Sequence, residues 1–322
     1  MGRPKCSAAA SPQTEGVGRF PDRLTIRRRR SPWGNRYSTC SKGTALPFRN
    51  RLLAVGLAAM LAGCVNLQAI STYAESAAGV AGATDAAKRW RDSDKKLREQ
   101  RLDGDVCPIG YTGRLPQAQF DAAYDDAEKL HQAMSAYFTA LGELASDQLP
   151  DLAKTAAPSL EGIKGAGAKV SPEEEAAVQG LFALLQRGLD AYRHKKLREL
   201  MTSSHGDVAR VLGLMRKLAD VYAEGLRGER IQAINFVKCE IGQSDLGDKY
   251  LGRRELARVG ADYDKALSAI ATYKAALQKL ADDHDRIRGA LAMDRDAMTR
   301  TLKAIAATAK ELDKAHDAVA KL

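Results

Sequence analysis

Proline is missing from the last 150 residues, since Pro172 is the tenth and final one. Nothing in that stretch forces a helix to kink or stop. Sustained two-residue alternation with β-branched side chains is also absent, which leaves no ground for strands. No Gly-x-Ser-x-Gly, Cys-x-x-Cys, Cys-x-x-Cys-His or His-Glu-x-x-His occurs. The familiar hydrolase, thiol-redox, haem and zinc-protease signatures are therefore lacking. A membrane-spanning helix needs about 20 apolar residues in a row, and no such run is present. Cysteine is scarce, and from residue 64 onward only Cys64, Cys107 and Cys239 occur. No enzyme activity is expected from these residues.

The net charge of +10 suggests nucleic acid until it is divided along the chain. Residues 1–63 hold twelve of the 50 basic residues and two of the 40 acidic ones. From Cys64 onward 38 of each sign remain, so the net charge there is zero. No excess is left to neutralise phosphates, and nucleic acid is not an expected partner. The mixed signs read as solvated helix faces.

The most informative stretch is LLAVGLAAMLAGC, residues 52–64, preceded by Arg49 and Arg51. Its twelve residues before the cysteine are all apolar or glycine, too few to cross a membrane. A core helix would show polar residues every turn, and none appear. A basic flank, a short apolar run and small residues before a cut site describe a secretory signal peptide. The ending Leu61-Ala62-Gly63-Cys64 resembles the lipobox of bacterial lipoproteins. That resemblance implies cleavage between Gly63 and Cys64, with Cys64 carrying lipid, palmitate among it. Val65 follows in place of aspartate, which by the same resemblance implies the outer membrane, with the protein facing the periplasm. Residues 1–48 read as disordered or as sequence ahead of the true start, and residues 49–63 as the signal peptide. An exported chain meets an oxidising compartment, so Cys107 and Cys239 are expected to form a disulfide.

The expected fold is all-α: an elongated antiparallel helix bundle with coiled-coil-like helices, behind an N-terminal lipid-anchored stalk. Residues 64–116 form the stalk and a loop, because 66–102 are alanine-rich and only weakly amphipathic. Residues 117–322 form the helical bundle. Its first helix runs from Gln117 to Ala145 with the stripe Phe120, Tyr124, Ala127, His131, Met134, Phe138 and Leu141. Asp147 to Val170 read as a linker. Ser171-Pro172-Glu173-Glu174 opens the next helix through a capping box. Ser203 to Asp207 read as a turn, and Gly242 to Gly247 as a break. From Leu256 to Val319 apolar residues recur every seven positions, the mark of packed, supercoiled helices. His284 is the polar exception in the regular part of that series, and is expected to fix helix register. A hairpin is expected near Asp282-Asp283-His284-Asp285.

In its helix order and in YDDAEKLHQAMSAYFTALGELASDQLPDL, residues 124–152, the body resembles a group of helical proteobacterial lipoproteins without assigned function. The resemblance implies a membrane-tethered helical protein and lends no catalytic residues. Gly162 to Lys169 approaches a phosphate-binding loop, but Ala168 separates the last glycine from the lysine and no strand precedes it. Glu128 with His131, and Asp313 with His316, have the spacing of metal ligands in helix bundles. No metal and no cofactor are expected, because hydrogen-bonded core histidines explain these positions as well. The expected function is a non-catalytic, membrane-anchored scaffold or interaction module of the cell envelope, with an unidentified envelope protein as partner. Its coiled-coil helices allow a homo-oligomer. The alternative is a periplasmic helix bundle holding a metal or cofactor for redox or storage.

Overall fold

A computed structural model describes residues 67–99, 107, 116–146, 157–186, 195–243 and 246–322. They all belong to one compact unit, residues 51–322. Among them every regular element is a helix. These are α1 (67–82), α2 (Asp85–Arg91), α3 (Ser93–Glu99), α4 (Gln117–Ala145), α5 (Glu161–Gly165), α6 (Pro172–Gln186), α7 (Lys195–Gln243), α8 (Leu246–Ala290) and α9 (Arg295–Val319). The packed all-α bundle expected from the sequence is present. Residues 1–66, with the expected signal peptide, Gly63 and Cys64, lie outside the described residues.

The framework is three long helices in antiparallel succession. Glu229 of α7 meets Tyr263 of α8, while His205 stacks on His284, so α7 and α8 run in opposite directions. Thr308 of α9 reaches Asp283, and Lys279 pairs with Glu311, so α9 turns back along α8. The stripe read from the sequence lies in these interfaces: Tyr263, Ile270, Tyr273, Leu277, Leu280, Ile287, Ile305, Leu312 and Val319 are all buried. Leu277→Ala or Ile305→Ala should each cost about 2–5 kcal/mol by leaving a cavity, measured as a loss of urea stability.

Four sequence readings are corrected. The hairpin is not at Asp282 to Asp285, because α8 runs unbroken to Ala290. The chain turns at residues 291–294, where the Asp294 carboxylate caps α9 by accepting from Asp296 N and Ala297 N. Asp283 and His284 stay helical because each finds partners inside the bundle, Asp283 from Thr308 at 2.9 Å and Arg286 at 3.1 Å. Residues 203–207 are not a turn but lie inside α7. There the Ser203 and Ser204 hydroxyls donate back to the Leu200 carbonyl, which satisfies them without breaking the helix.

The stalk is the third correction. Ile70, Tyr73, Ala74, Ala77, Val80, Ala81, Trp90 and Leu97 are all buried in the common core. The bundle thus includes residues 67–99 and does not begin at 117. Alanine and glycine are the physical reason: small side chains make a faint amphipathic signal but let backbones approach. A Cβ on Gly142 of α4 would stand 3.2 Å from the Ala74 Cβ and 3.5 Å from the Ser71 carbonyl oxygen. Trp90 lies over Gly225 of α7 in the same way, where an added Cβ would come within 2.5 Å of its ring.

The fourth concerns the linker, which is in part a packed turn of helix. Leu160 and Ile163 are fully buried, and Leu160 sits at φ 65°, a left-handed conformation unusual for a leucine. An added Cβ at Gly162 would fall 2.3 Å from the Ala122 carbonyl oxygen, a backbone atom that cannot rotate away. Gly162→Ala should therefore cost about 1–3 kcal/mol or more, read as a lowered melting temperature. Further on, Ser171 and Glu174 form the expected capping box. Ser171 N donates to Glu174 Oε2 at 2.9 Å, and Glu174 N to Ser171 Oγ at 3.3 Å.

Candidate functional site

Among the described residues, three of the buried polar groups join helices far apart in sequence. The first joins α4, α7 and α8. Ser204 Oγ lies 2.8 Å from Leu200 O, 2.8 Å from Tyr137 Oη, and Tyr137 Oη lies 2.7 Å from His284 Nε2. A carbonyl oxygen only accepts, so the Ser204 hydroxyl donates to Leu200. Tyr137 then donates to Ser204, and His284 Nε2–H donates to Tyr137. The His205 ring stacks parallel to His284 with centroids 5.7 Å apart, and its Nε2 lies 3.5 Å from Asp285 Oδ1.

Serine, tyrosine and histidine in series could pass for an acid–base relay. All three are closed off from solvent: Ser204 is 2 % exposed, His284 1 % and Tyr137 0 %. Loss of water pushes the Tyr137 phenol up, and pushes the His284 imidazole down to about 3, with neighbouring His205 adding to the fall. Both groups are neutral hydrogen-bonding partners at neutral pH. Together they link α4, α7 and α8 by hydrogen bonds.

The second group centres on His131, also fully buried. Its Nδ1 is 2.8 Å from the Ala81 carbonyl, so Nδ1 carries the proton, and Tyr273 Oη lies 3.3 Å from the same nitrogen. Burial lowers this imidazole to about 4, against a smaller upward pull from the Ala81 carbonyl. Glu128 does not join it, because its carboxylate accepts from Tyr124 at 3.3 Å. His316 and Asp313 line a cleft of about 250 Å³ with Glu75, Thr72, Ser76 and Gly79. Among the described residues, no three His, Cys, Asp or Glu side chains are placed to hold a metal ion.

His131 and His284 make stability depend on pH. Both are neutral when folded and return to an ordinary value near 6.5 when the chain unfolds. Their folded values are the lower ones, so the stabilisation is complete above about pH 6.5. It is lost as pH falls toward about 4 for His131 and about 3 for His284. Each histidine contributes a slope of about 1.4 kcal/mol per pH unit in that window. Urea midpoints should drop between about pH 6.5 and 4.5, and the His131→Gln/His284→Leu variant should show a flatter profile. Identical profiles for the two chains would refute this assignment.

The third group is an ion pair that sequence reasoning missed. Arg89 of α2 grips Glu229 of α7 through two hydrogen bonds of 2.9 and 2.6 Å, and Tyr263 donates to the same carboxylate at 2.7 Å. Side-chain exposure is 9 % for Arg89 and 0 % for Glu229. Burial alone would lower the Arg89 guanidinium, but the Glu229 carboxylate outweighs it and the net shift is upward. The signal was present: Tyr222, Leu226, Glu229, Ala233 and Phe236 follow a helical stripe, with one charge among apolar residues. Beside the pair opens a cleft of about 260 Å³ lined by Lys96, Lys265, Lys321, Ala266 and Ala269 among others.

No family model matches the chain, and no curated protein or solved structure matches it either. The site is thus read from its own geometry. Cys107 and Cys239 are bonded, with Cα atoms 5.9 Å apart, inside the about 7 Å limit for a bridge. The near phosphate loop is used for packing instead: Gly162 N donates to the Asp126 carboxylate at 2.8 Å. A carboxylate there would repel a phosphate. Among the described residues, no helix is long and apolar enough to cross a membrane.

Proposed function

We propose that the protein is a non-catalytic, lipid-anchored helical scaffold of the bacterial envelope, held at the outer membrane through Cys64 and facing the periplasm. One observation carries the non-catalytic part: the buried titratable groups bind helices to one another. His284 is spent on Tyr137, His131 on Ala81, and Glu229 on Arg89 and Tyr263. None of these three is left as a free acid, base or nucleophile at a reacting position. The anchor rests on Leu61-Ala62-Gly63-Cys64, and the Cys107–Cys239 bridge agrees with an oxidising compartment.

The helices also favour a defined attachment end. Tyr73 of α1 donates to Leu280 O, while Ala81 later in α1 lies by His131, which stacks on Tyr273. Moving back along α1 therefore leads toward the α8–α9 turn. Only Val65 and Asn66 separate Cys64 from Leu67, a reach of about 10 Å from Cα to Cα. An anchor at Cys64 would thus favour that end of the bundle as the attachment end, and α8 itself is about 65 Å long. Labelled palmitate should enter the full chain and not its Cys64→Ser variant, which should also leave the membrane fraction. Membrane-bound protein retaining residues 1–63 would end the anchor reading. Stoichiometric metal in purified protein would instead support the storage or redox alternative.

A further inference from the structure

The geometry points to a binding site for a phosphate group in the cleft beside the Arg89–Glu229 pair, between α3, α8 and the end of α9. The cleft holds about 260 Å³ and is lined by Arg89, Lys96, Tyr263, Lys265 and Lys321, with Ala266, Ala269 and Ala318 as apolar surface. Its charges do not balance. Arg89 already carries Glu229, and the one acidic side chain in the lining, Asp262, pairs with Arg258 at 2.8 Å. Lys265 and Lys321 have no ion-pair partner among the described residues. The contact seen for Lys96 is the Leu322 main-chain oxygen at 3.4 Å. A carboxylate at that oxygen cancels one charge and leaves two.

Lys265 and Lys321 are exposed at the rim of this concave space, beside half-buried Lys96 and the Arg89 guanidinium, and together they raise the local positive potential. An anion seated among them is attracted by each of these charges. Burial lowers the Lys96 ammonium, and the nearby Arg89 charge adds to the fall. Lysines act as compact point charges with rotatable donors, which suits a tetrahedral phosphate and gives less fit to a flat carboxylate. Arg89 lines the cleft with its guanidinium already engaged by Glu229 and Tyr263, so the lysines are left as the donors to a ligand. The apolar alanines leave room for a carbon-bearing substituent, as in a phosphomonoester. The shared chemistry is the phosphate, free or on a lipid headgroup. The inference does not depend on the anchor at Cys64.

Phosphorus NMR of inorganic phosphate titrated with the full chain tests it, with sedimentation on phosphatidic acid or phosphatidylcholine vesicles as a second arm. The Cys64→Ser chain is used for the vesicles, so that the lipid anchor plays no part. Binding should weaken with salt, and the Lys265→Gln/Lys321→Gln variant should lose at least tenfold in affinity. Lys274→Gln should bind as the parent does, because Lys274 is engaged with Asp220 at 2.6 Å outside the cleft. Lysine-dependent binding to phosphatidic acid vesicles alone would assign the site to a headgroup. No binding in either arm at millimolar phosphate, or binding unchanged by the double substitution with helicity intact, would overturn the proposal.

Discussion

Replacing Glu229 with alanine should cost about 3–5 kcal/mol, because it strands the Arg89 guanidinium in a site with little water. Arg89 is held by α2, far from α7 in sequence, and Glu229 is its anchor there. The substitution also removes the acceptor of the Tyr263 hydroxyl. Urea unfolding at neutral pH measures the loss. The paired variant Arg89→Leu/Glu229→Leu should recover most of it, since exchanging both charges for apolar groups leaves nothing uncompensated. A single-variant loss below about 1 kcal/mol would show the pair to be no stronger than a surface contact.

Opening the Cys107–Cys239 bridge should cost about 4–5 kcal/mol in the chain-entropy picture. The bonded residues are 132 apart in sequence, so the bridge removes a long loop's worth of freedom from the unfolded chain. Cys107→Ser and Cys239→Ser should lower the melting temperature alike, by roughly 10–20 °C. Reducing agent should lower the parent to the same point and leave both variants unmoved. A parent insensitive to reduction would mean that the bridge adds nothing to stability.

Local signals were the readable ones. Ser171, Pro172 and Glu174 announced their helix start because the two reciprocal hydrogen bonds of a capping box span three residues. The seven-residue stripe from Leu256 to Val319 was equally plain, since each apolar position repeats the last. What failed was decided at a distance. Asp282 to Asp285 looked like a solvated turn, yet Thr308 from α9 reaches Asp283, and Tyr137 from α4 reaches His284. Ser203 to Asp207 misled because the Ser203 and Ser204 hydroxyls bond back to the Leu200 carbonyl, and distant Tyr137 adds a donor to Ser204. Residues 67–99 were read as a stalk because alanine contributes little to an amphipathic pattern, though Ile70, Tyr73, Ala77 and Val80 do share one helical face. For the Arg89–Glu229 site, Glu229 was visible as a misfit in an apolar stripe. Its partner was not, because 140 residues separate the two.

The placement of α1 also sets an order of events. Tyr73 donates to an oxygen 207 residues further on, and Ala81, through His131, comes beside Tyr273. Contacts so remote in sequence close only after a large loss of chain entropy, and they slow folding. A chain made from its N-terminus cannot bury α1 against α8 until synthesis is nearly finished. The leading segment therefore emerges with its hydrophobic face bare and the core incomplete. Were the chain exported as proposed, such late consolidation would keep it pliable during passage, and the bundle would close only afterwards, where the Cys107–Cys239 bridge also forms.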